Sequence, residues 1–210
     1  METELYSSQT KRWPAAGRHI LADYNDDTVT VYQAYRPAIG RYAAEHGKFG
    51  GEFSYSRMSW IKPNFLWMMY RSGWGTKPGQ EITLAVRLRR PFFEEILEQA
   101  VPSSFNEELF ESHAAWQEAV QSSNVRLQWD PDHDPAGAKL ERRAVQLGLR
   151  GEILQRYGTD ECVSITDISE FVAAKRPAAS APFDRLTTPV ERVYTPVSDI
   201  ARAQLGLDTA

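Results

Sequence analysis

Alternation of apolar and polar residues marks the strands of this chain. The clearest case is TVTVYQAY (28–35), which alternates β-branched and aromatic residues after the turn signal Asn25-Asp26-Asp27. Four further segments have a strand-like pattern: SRMSWI (56–61), QEITLAVRLRR (80–90), VRLQWD (125–130) and ECVSITDISEFV (161–172). A period of two is typical of strands that place one face against a core.

Apolar residues at helical spacing predict the helices. PAIGRYAAEHG (37–47) begins at a proline, which suits a first helical turn, and ends at a glycine. KPNFLWMMYRSGW (62–74) is apolar nearly all round, so we expect it to be buried on most sides. The other predicted helices are PFFEEILEQAV (91–101), NEELFESHAAWQEAVQ (106–121), the segment from Asp134-Pro135 to Leu149, and GEILQRYG (151–158).

The order of these elements predicts a single α+β domain. Helices and strands alternate, but the strands are few and some connections are short, which favours a mixed or largely antiparallel sheet, continuous or split, flanked by helices. We expect three parts: an N-terminal strap (1–27), the α+β domain (28–174) and a Pro/Ala-rich C-terminal tail (175–210).

Composition narrows the class of protein. With 42% hydrophobic residues the chain has enough apolar surface for a core, and its net charge of −4 argues against indiscriminate binding to nucleic acid. The single cysteine, Cys162, excludes an internal disulfide, and we expect it to be an inert core residue. The sequence lacks an apolar run of membrane-spanning length and an apolar signal core, so we expect a cytoplasmic protein without membrane contact.

The charge is unevenly distributed along the chain. Residues 36–90 contain ten Lys/Arg, three Glu and no Asp, a balance of +7, so the rest of the chain carries −11. Residues 31–75 contain eleven of the twenty-four aromatic residues. A basic, aromatic-rich block in an acidic chain is where an anionic ligand is expected, although basic residues on a solvated face with aromatics in the core give the same pattern.

The stretch WDPDHDP (129–135) concentrates three aspartates and a histidine. Asp132 and His133 are residue types that bind divalent metals, but the spacing does not match an EF-hand loop, HExxH or a cysteine-containing site. Asp134-Pro135 resembles a helix N-cap followed by proline. We therefore expect a structural loop and no metal, with a site at Asp132 and His133 as the alternative.

Arginines at the ends of predicted elements are candidates for phosphate contacts. Arg36 follows the first strand, Arg57 opens the SRMSW segment, and Arg71 lies near the end of the buried helix. We expect Arg142 and Arg143 to pair with nearby carboxylates instead. The chain lacks GxSxG, GxGxxG and GxxxxGK[ST], so neither a serine nucleophile elbow nor a common phosphate-binding loop is predicted.

Several long stretches together resemble one family. The stretches are VYQAYRPAIGRYA (31–43), RMSWIKPNFLWMMYRSGW (57–74), QEITLAVRLRRPFF (80–93) and QWDPDHDPAGAKLERRAVQLGLRG (128–151). In this order they resemble the family catalogued as domain of unknown function 4291, over roughly residues 10–175. The family name implies no activity.

A more distant resemblance is to the ADP-ribosyltransferase superfamily, whose members bind NAD in a cleft of a small split sheet. Arg36 ends the first strand, Ser59 lies in the strand before the buried helix, and Glu161 opens a late strand, an order similar to that superfamily's. The departures are Ser56-Arg57-Met58-Ser59 in place of a Ser-Thr-Ser triplet, and Thr159 two residues before Glu161.

The resemblance implies a nucleotide site that needs no metal, and the cofactor expected is NAD. Arg36 would hold a phosphate, Tyr35, Trp60 or Trp74 would stack on a ring, and Glu161 would stabilise the charge that develops as nicotinamide leaves. In such a fold the first and final strands are central neighbours, so we expect Arg36 and Glu161 to face one cleft. The rival hypothesis is a module that binds RNA or single-stranded nucleic acid through the basic block 36–90. A structural protein without a ligand is a third alternative, and the sequence leaves both catalysis and oligomeric state open.

Overall fold

The computed structural model describes residues 1–208, which form a single α+β domain and confirm the predicted fold class. The α-helices are α1 (Tyr6–Gln9), α2 (Pro37–His46), α3 (Phe65–Ser72), α4 (Arg90–Glu98), α5 (His113–Ser122), α6 (Gly151–Thr159), α7 (Ser169–Lys175) and α8 (Asp199–Leu205). The strands are β1 (Thr3–Leu5), β2 (Gly17–Arg18), β3 (Ile20–Ala22), β4 (Thr28–Tyr35), β5 (Ser59–Ile61), β6 (Ile82–Arg89), β7 (Ala100–Pro102), β8 (Val125–His133), β9 (Lys139–Leu149), β10 (Cys162–Asp167), β11 (Thr187–Pro189) and β12 (Arg192–Tyr194).

Two sheets that meet at one point form the framework of the domain. One is antiparallel with the order β10-β6-β4, and the other has the order β2-β9-β8-β7, with β5 added to β9. Within residues 1–208 the backbones of β4 and β5 pair only at Tyr32 and Lys62, which exchange hydrogen bonds of 2.7 and 3.2 Å. The sheet is therefore split, and most of its strand pairs are antiparallel.

The two faces of the split sheet pack against different layers. Val31 and its neighbours on β6, β9 and β8 point into the larger core, which α4 and α6 complete. Tyr32 points to the opposite face and packs with Phe65 and Met69 of α3. Since α3 contacts both β4 and β8, it lies across the junction of the two sheets.

The start and end of α3 are fixed by specific contacts. The side chain of Asn64 accepts a hydrogen bond from the backbone N–H of Trp67 (2.6 Å), the usual role of an N-cap residue. A carboxylate oxygen of Glu191 accepts from the N–H of Phe65 (2.6 Å) and satisfies a second free donor of the first turn. The helix ends at Gly73, whose φ of 58° is readily adopted by glycine.

The two terminal segments, expected to be a strap and a tail, pack together on the domain. Strand β1 pairs with β11 and β3 pairs with β12. Gln9 is fully buried: its Nε2 donates to Thr188 Oγ1 (2.9 Å) and its Oε1 accepts from the N–H of Glu191 (2.8 Å). Residues 187–205 are thus part of the folded domain, in contrast to the expected tail.

The helix predicted from Asp134 to Leu149 is wrong, because β8 and β9 form an antiparallel hairpin there. The side chain of Asp134 accepts from the backbone N–H of Ala138 (2.8 Å), so it caps a turn instead of a helix. Val145, Leu147 and Leu149 alternate with polar or small residues and point into the larger core. The predicted helix at 106–121 begins only at His113, and the predicted strand 161–172 ends at Asp167, where α7 follows.

Candidate functional site

Arg36 and Glu161, expected to share one cleft, lie at opposite ends of the three-stranded sheet. Tyr35, next to Arg36, pairs with Ile82 at one end of β6, whereas Cys162, next to Glu161, pairs with Leu88 at the other. Strand β6 also separates β4 from β10, so the two strands are not neighbours. The expectation of one shared cleft is therefore wrong, because the register of β6 determines which ends meet.

Both of these side chains are engaged in ion pairs. Arg36 pairs with Glu52 at 2.7 Å on an exposed surface. Glu161 pairs with Arg156 at 3.0 Å and lies 3.7 Å from Arg89. Structural ion pairs account for the positions of both residues without a ligand.

Tyr35 and Ser59 come together, but in a buried hydrogen-bond network. Their hydroxyl groups are 2.7 Å apart, and Gln33 Nε2 donates to Ser59 Oγ (2.8 Å). The hydroxyl of Tyr157 donates to Gln33 Oε1 (2.6 Å) and extends the network into the core. Burial raises the pKa of the Tyr35 hydroxyl above its ordinary value. These contacts join β4, β5 and α6 and leave little of either side chain for a ligand.

Two further candidate residues differ in their surroundings. Trp74 is buried, and its indole N–H donates to the carbonyl oxygen of Pro135 (3.1 Å), which joins the end of α3 to the β8–β9 turn. Arg57 is exposed and lies in the chain just before β5. Trp74 therefore supports the fold, while Arg57 is open to solvent near the start of that strand.

Trp60 and Arg71, two of the predicted binding residues, lie around a buried lysine on the α3 side of the second sheet. We name this region the Lys62 face and define it by Trp60, Lys62, Gln128, Asp130 and Gln146. Residue 60 pairs with 148, and residue 128 with 146, so these side chains share one face by strand alternation. The face thus collects aromatic, cationic, amide and carboxylate groups in one place.

Gly148 allows Trp60 to lie across β9. A Cβ atom at position 148 would come within 3.0 Å of Trp60 Cζ2 and 2.6 Å of Met58 Sδ. Both side chains therefore occupy the space that a larger residue would fill. Trp60 remains partly exposed, so its ring is available at the surface of the protein.

Lys62 is the least satisfied charged group of this face. Its side chain is 6% exposed, and its Nζ donates one long hydrogen bond, to the carbonyl oxygen of Trp60 at 3.4 Å. The pKa of the amine is lowered to about 8, chiefly by burial and also by the nearby Arg71 guanidinium, while Asp130 acts in the opposite direction. The buried amine of Lys62 and the exposed guanidinium group of Arg71 near it form a site that attracts an anion.

Asp130 is held in a fixed orientation by two amides. Gln128 Nε2 donates to one carboxylate oxygen (2.9 Å) and Gln146 Nε2 donates to the other (2.7 Å). Each oxygen keeps a further acceptor position. The carboxylate is only partly buried, so a ligand hydroxyl or N–H group can reach it.

The WDPDHDP stretch forms the end of β8 and the following turn. Asp132 pairs with Arg142 at 2.7 Å, and both side chains are almost completely buried. The ring of His133 stacks on Tyr70 with centroids 3.5 Å apart. Within residues 1–208, no group of three or more His, Cys, Asp and Glu residues has the arrangement of a metal site. The contacts present give the stretch a structural role.

The sequence places this chain in a family. The model of the family described as a domain of unknown function (DUF4291) matches residues 19–194. The chain belongs to the DUF4291 family. No curated protein matches its sequence. No helix among residues 1–208 of this DUF4291 member has the length and apolar character needed to cross a membrane.

Neither Lys62 nor Asp130 is among the binding residues predicted from the sequence. Lys62 lies in the basic block, between a short strand and the nearly all-apolar helix α3. This position indicates that its side chain is buried. Asp130 gave no comparable signal, because its surroundings depend on the β8–β9 pairing.

Proposed function

We propose that this DUF4291 member binds a nucleotide at the Lys62 face. The single observation that carries the proposal is the buried ammonium group of Lys62, which has one long hydrogen bond and a second cation, Arg71, close by. A buried charge without partners is costly, so a phosphate that neutralises it would be bound favourably.

The neighbouring groups suit the other parts of a nucleotide. Trp60 presents a partly exposed ring on which a base can stack, an interaction worth about 1–3 kcal/mol. Asp130 offers oriented acceptor oxygens for ribose hydroxyls or base N–H groups. Phosphate, sugar and base would thus each meet a group of matching chemistry.

The split sheet agrees with the distant resemblance to ADP-ribosyltransferases, for which NAD would be the ligand. Glu161, however, lies at the far end of the three-stranded sheet from Arg36 and is paired with Arg156. We therefore propose nucleotide binding, with NAD as one candidate ligand, and assign no transfer step to Glu161.

Binding of single-stranded nucleic acid is the second candidate. Arg57 and Arg71 are both exposed, so a backbone that continued past Lys62 would meet further cations. In that case the affinity should increase with the number of nucleotides and fall steeply with salt, because each phosphate contact releases counterions.

Isothermal titration calorimetry with AMP, NAD and an eight-nucleotide single-stranded RNA, at two salt concentrations, tests both proposals. The variant is Lys62→Met, which keeps the length of the side chain and removes its charge. The matched control is Arg36→Gln, which removes a cation of the same basic block that is already paired with Glu52.

We expect Lys62→Met to weaken binding by tenfold or more, about 1.4 kcal/mol for each factor of ten, and Arg36→Gln to have little effect. Tighter binding of RNA than of AMP, with strong salt dependence, would favour the second candidate. Absence of binding by all three ligands at low salt, or equal binding by Lys62→Met, would refute both.

A further inference from the structure

A cavity lies over the three-stranded sheet, on the face that also packs against α3. Its volume is roughly 730 Å³. Its floor is formed by β4, β6 and β10, and its walls by residues 23–25, the first two residues of the chain, and residues 190 and 192. We name it the Arg87 cavity. Its size is within the range of small-molecule sites in proteins.

Two arginines line this cavity in fixed orientations. Arg87 Nη2 donates to Thr28 Oγ1 (2.8 Å), which leaves its other N–H groups free. Arg192 Nη2 donates to the carbonyl oxygen of Tyr24 (2.6 Å), and its guanidinium group lies 4.5 Å from the centre of the Tyr24 ring. No carboxylate of residues 1–208 forms an ion pair with either arginine. Both cations therefore keep free N–H donors in the cavity, which the carboxylates of Glu2 and Asp23 also line.

The floor of the cavity carries polar side chains. A sheet face that packs against a core would carry apolar ones. Thr30, Ser164 and Thr166 contribute hydroxyl groups at alternate positions of β4 and β10. Asp23 stands in the wall, and its Oδ2 accepts from the Thr30 hydroxyl (3.1 Å). The second oxygen of this carboxylate is free to accept from a ligand hydroxyl group.

We propose that the Arg87 cavity binds a sugar phosphate. The phosphate group would lie between Arg87 and Arg192, because guanidinium groups form paired hydrogen bonds with phosphate oxygens. The sugar hydroxyl groups would meet Asp23 and the hydroxyl-bearing floor. This site is separate from the Lys62 face, because the two have no residue in common, and the proposal does not depend on nucleotide binding there.

Binding of ribose 5-phosphate, glucose 6-phosphate, inorganic phosphate and free ribose, measured by calorimetry on the full chain, tests the proposal. The variants are Arg87→Gln and Arg192→Gln, both at exposed positions, so neither substitution disturbs the core. The control is Arg89→Gln, which removes an exposed arginine from the same strand that does not line the cavity and is close to Glu161. All of these measurements use the Lys62→Met background, which removes the phosphate contact proposed at the Lys62 face.

We expect a sugar phosphate to bind more tightly than inorganic phosphate or free ribose. Arg87→Gln and Arg192→Gln should each weaken this binding by about tenfold, the effect of losing one charge-assisted contact. Arg89→Gln should leave it unchanged. Equal binding of free ribose, or full binding in both cavity variants, would each overturn the assignment.

Discussion

The carboxylate of Asp132 and the guanidinium group of Arg142 face each other across the β8–β9 hairpin at 2.7 Å, both nearly excluded from solvent. Arg142 also donates to the carbonyl oxygen of Pro14 (2.8 Å) and lies 5.3 Å from the centre of the Trp13 ring. The pair therefore joins the hairpin to the N-terminal segment. It gives the aspartate-rich stretch a structural purpose.

Asp132→Ala should destabilise the protein by about 3–5 kcal/mol, because it leaves the Arg142 charge buried and unpaired. The free energy of unfolding in urea measures this loss. The double variant Asp132→Leu/Arg142→Met, which removes both charges, should be markedly more stable than Asp132→Ala. A double variant as unstable as the single one would show that the buried charge is not the cause.

Lys62 should make the stability depend on pH in the alkaline range. Its pKa is about 8 in the folded protein and 10.5 ordinarily, so between these values the unfolded chain binds more protons. The free energy of unfolding should therefore rise from pH 8 to pH 10 relative to that of Lys62→Met, by up to about 1.4 kcal/mol per pH unit. Urea titrations of both proteins at several pH values measure this difference in free energy. The contributions of the other titrating groups are the same in both proteins and cancel. Parallel curves would contradict it.

The same amine should control the pH dependence of nucleotide affinity. Below about pH 8 Lys62 is charged and can neutralise a phosphate, whereas above this value it becomes neutral. We expect the affinity for AMP to fall as the pH rises through this range, while the residual affinity of Lys62→Met stays flat. Calorimetry from pH 7 to pH 9.5 gives the profile, and an affinity that increases with pH would exclude Lys62 as the phosphate ligand.

Glu191 should make the free energy of unfolding fall as the pH rises through the acidic range, opposite to the effect of Lys62. The pKa of its carboxyl group is well above the ordinary 4.5, chiefly because of burial and also because of Asp132 and Asp23. The hydrogen bond from the Phe65 N–H lowers the pKa but does not offset these effects. The folded state then binds the proton more tightly, so stability is greatest below pH 4.5 and is lost as the pH rises. Relative to Glu191→Gln, the wild-type free energy of unfolding should decline between pH 4.5 and pH 7. An increase over that interval would show that the helix N-terminus holds the carboxylate ionised.

Cys162 should resist alkylation in the folded protein. Burial raises the pKa of the thiol to about 12, Glu161 adds to the effect, and the Sγ lies 2.7 Å from the carbonyl oxygen of Tyr157. Iodoacetamide at pH 8 should therefore react only after addition of urea, because the thiolate is the reactive form. Mass spectrometry follows the reaction, and rapid labelling of the native protein would contradict the prediction.

The sequence predicted correctly those elements whose apolar residues repeat with the spacing of either a strand or a helix, but not of both. Strands β4 and β6 and helix α3 match their predicted segments closely. Residues 134–149 were predicted to be a helix from Asp134-Pro135, which suits both a helix start and a turn, although Val145, Leu147 and Leu149 alternate with the period of a strand. Pairing with β8 selects the strand, and no local signal contains that pairing.

The candidate site was predicted only in part, because it also depends on which strands pair. Trp60 and Arg71 were selected as basic or aromatic residues at element ends, and both border the Lys62 face. Arg36 and Glu161 were placed together because β4 and β10 were expected to be neighbours, but β6 lies between them. Strand order and register depend on contacts between distant parts of the chain, which single-sequence patterns do not specify.

The pairing of the two ends of the chain has a consequence for biosynthesis. Gln9 is separated from its hydrogen-bond partner Thr188 by 179 positions, and Glu191, which caps α3, comes 126 residues after Phe65. Contacts of such wide sequence separation form late, because the intervening chain must first be closed into a loop. On the ribosome, the side chain of Gln9 and the first turn of α3 would lack these hydrogen bonds until residues 188–191 have emerged. Until that segment has emerged, these groups of the nascent chain remain accessible to proteases and chaperones.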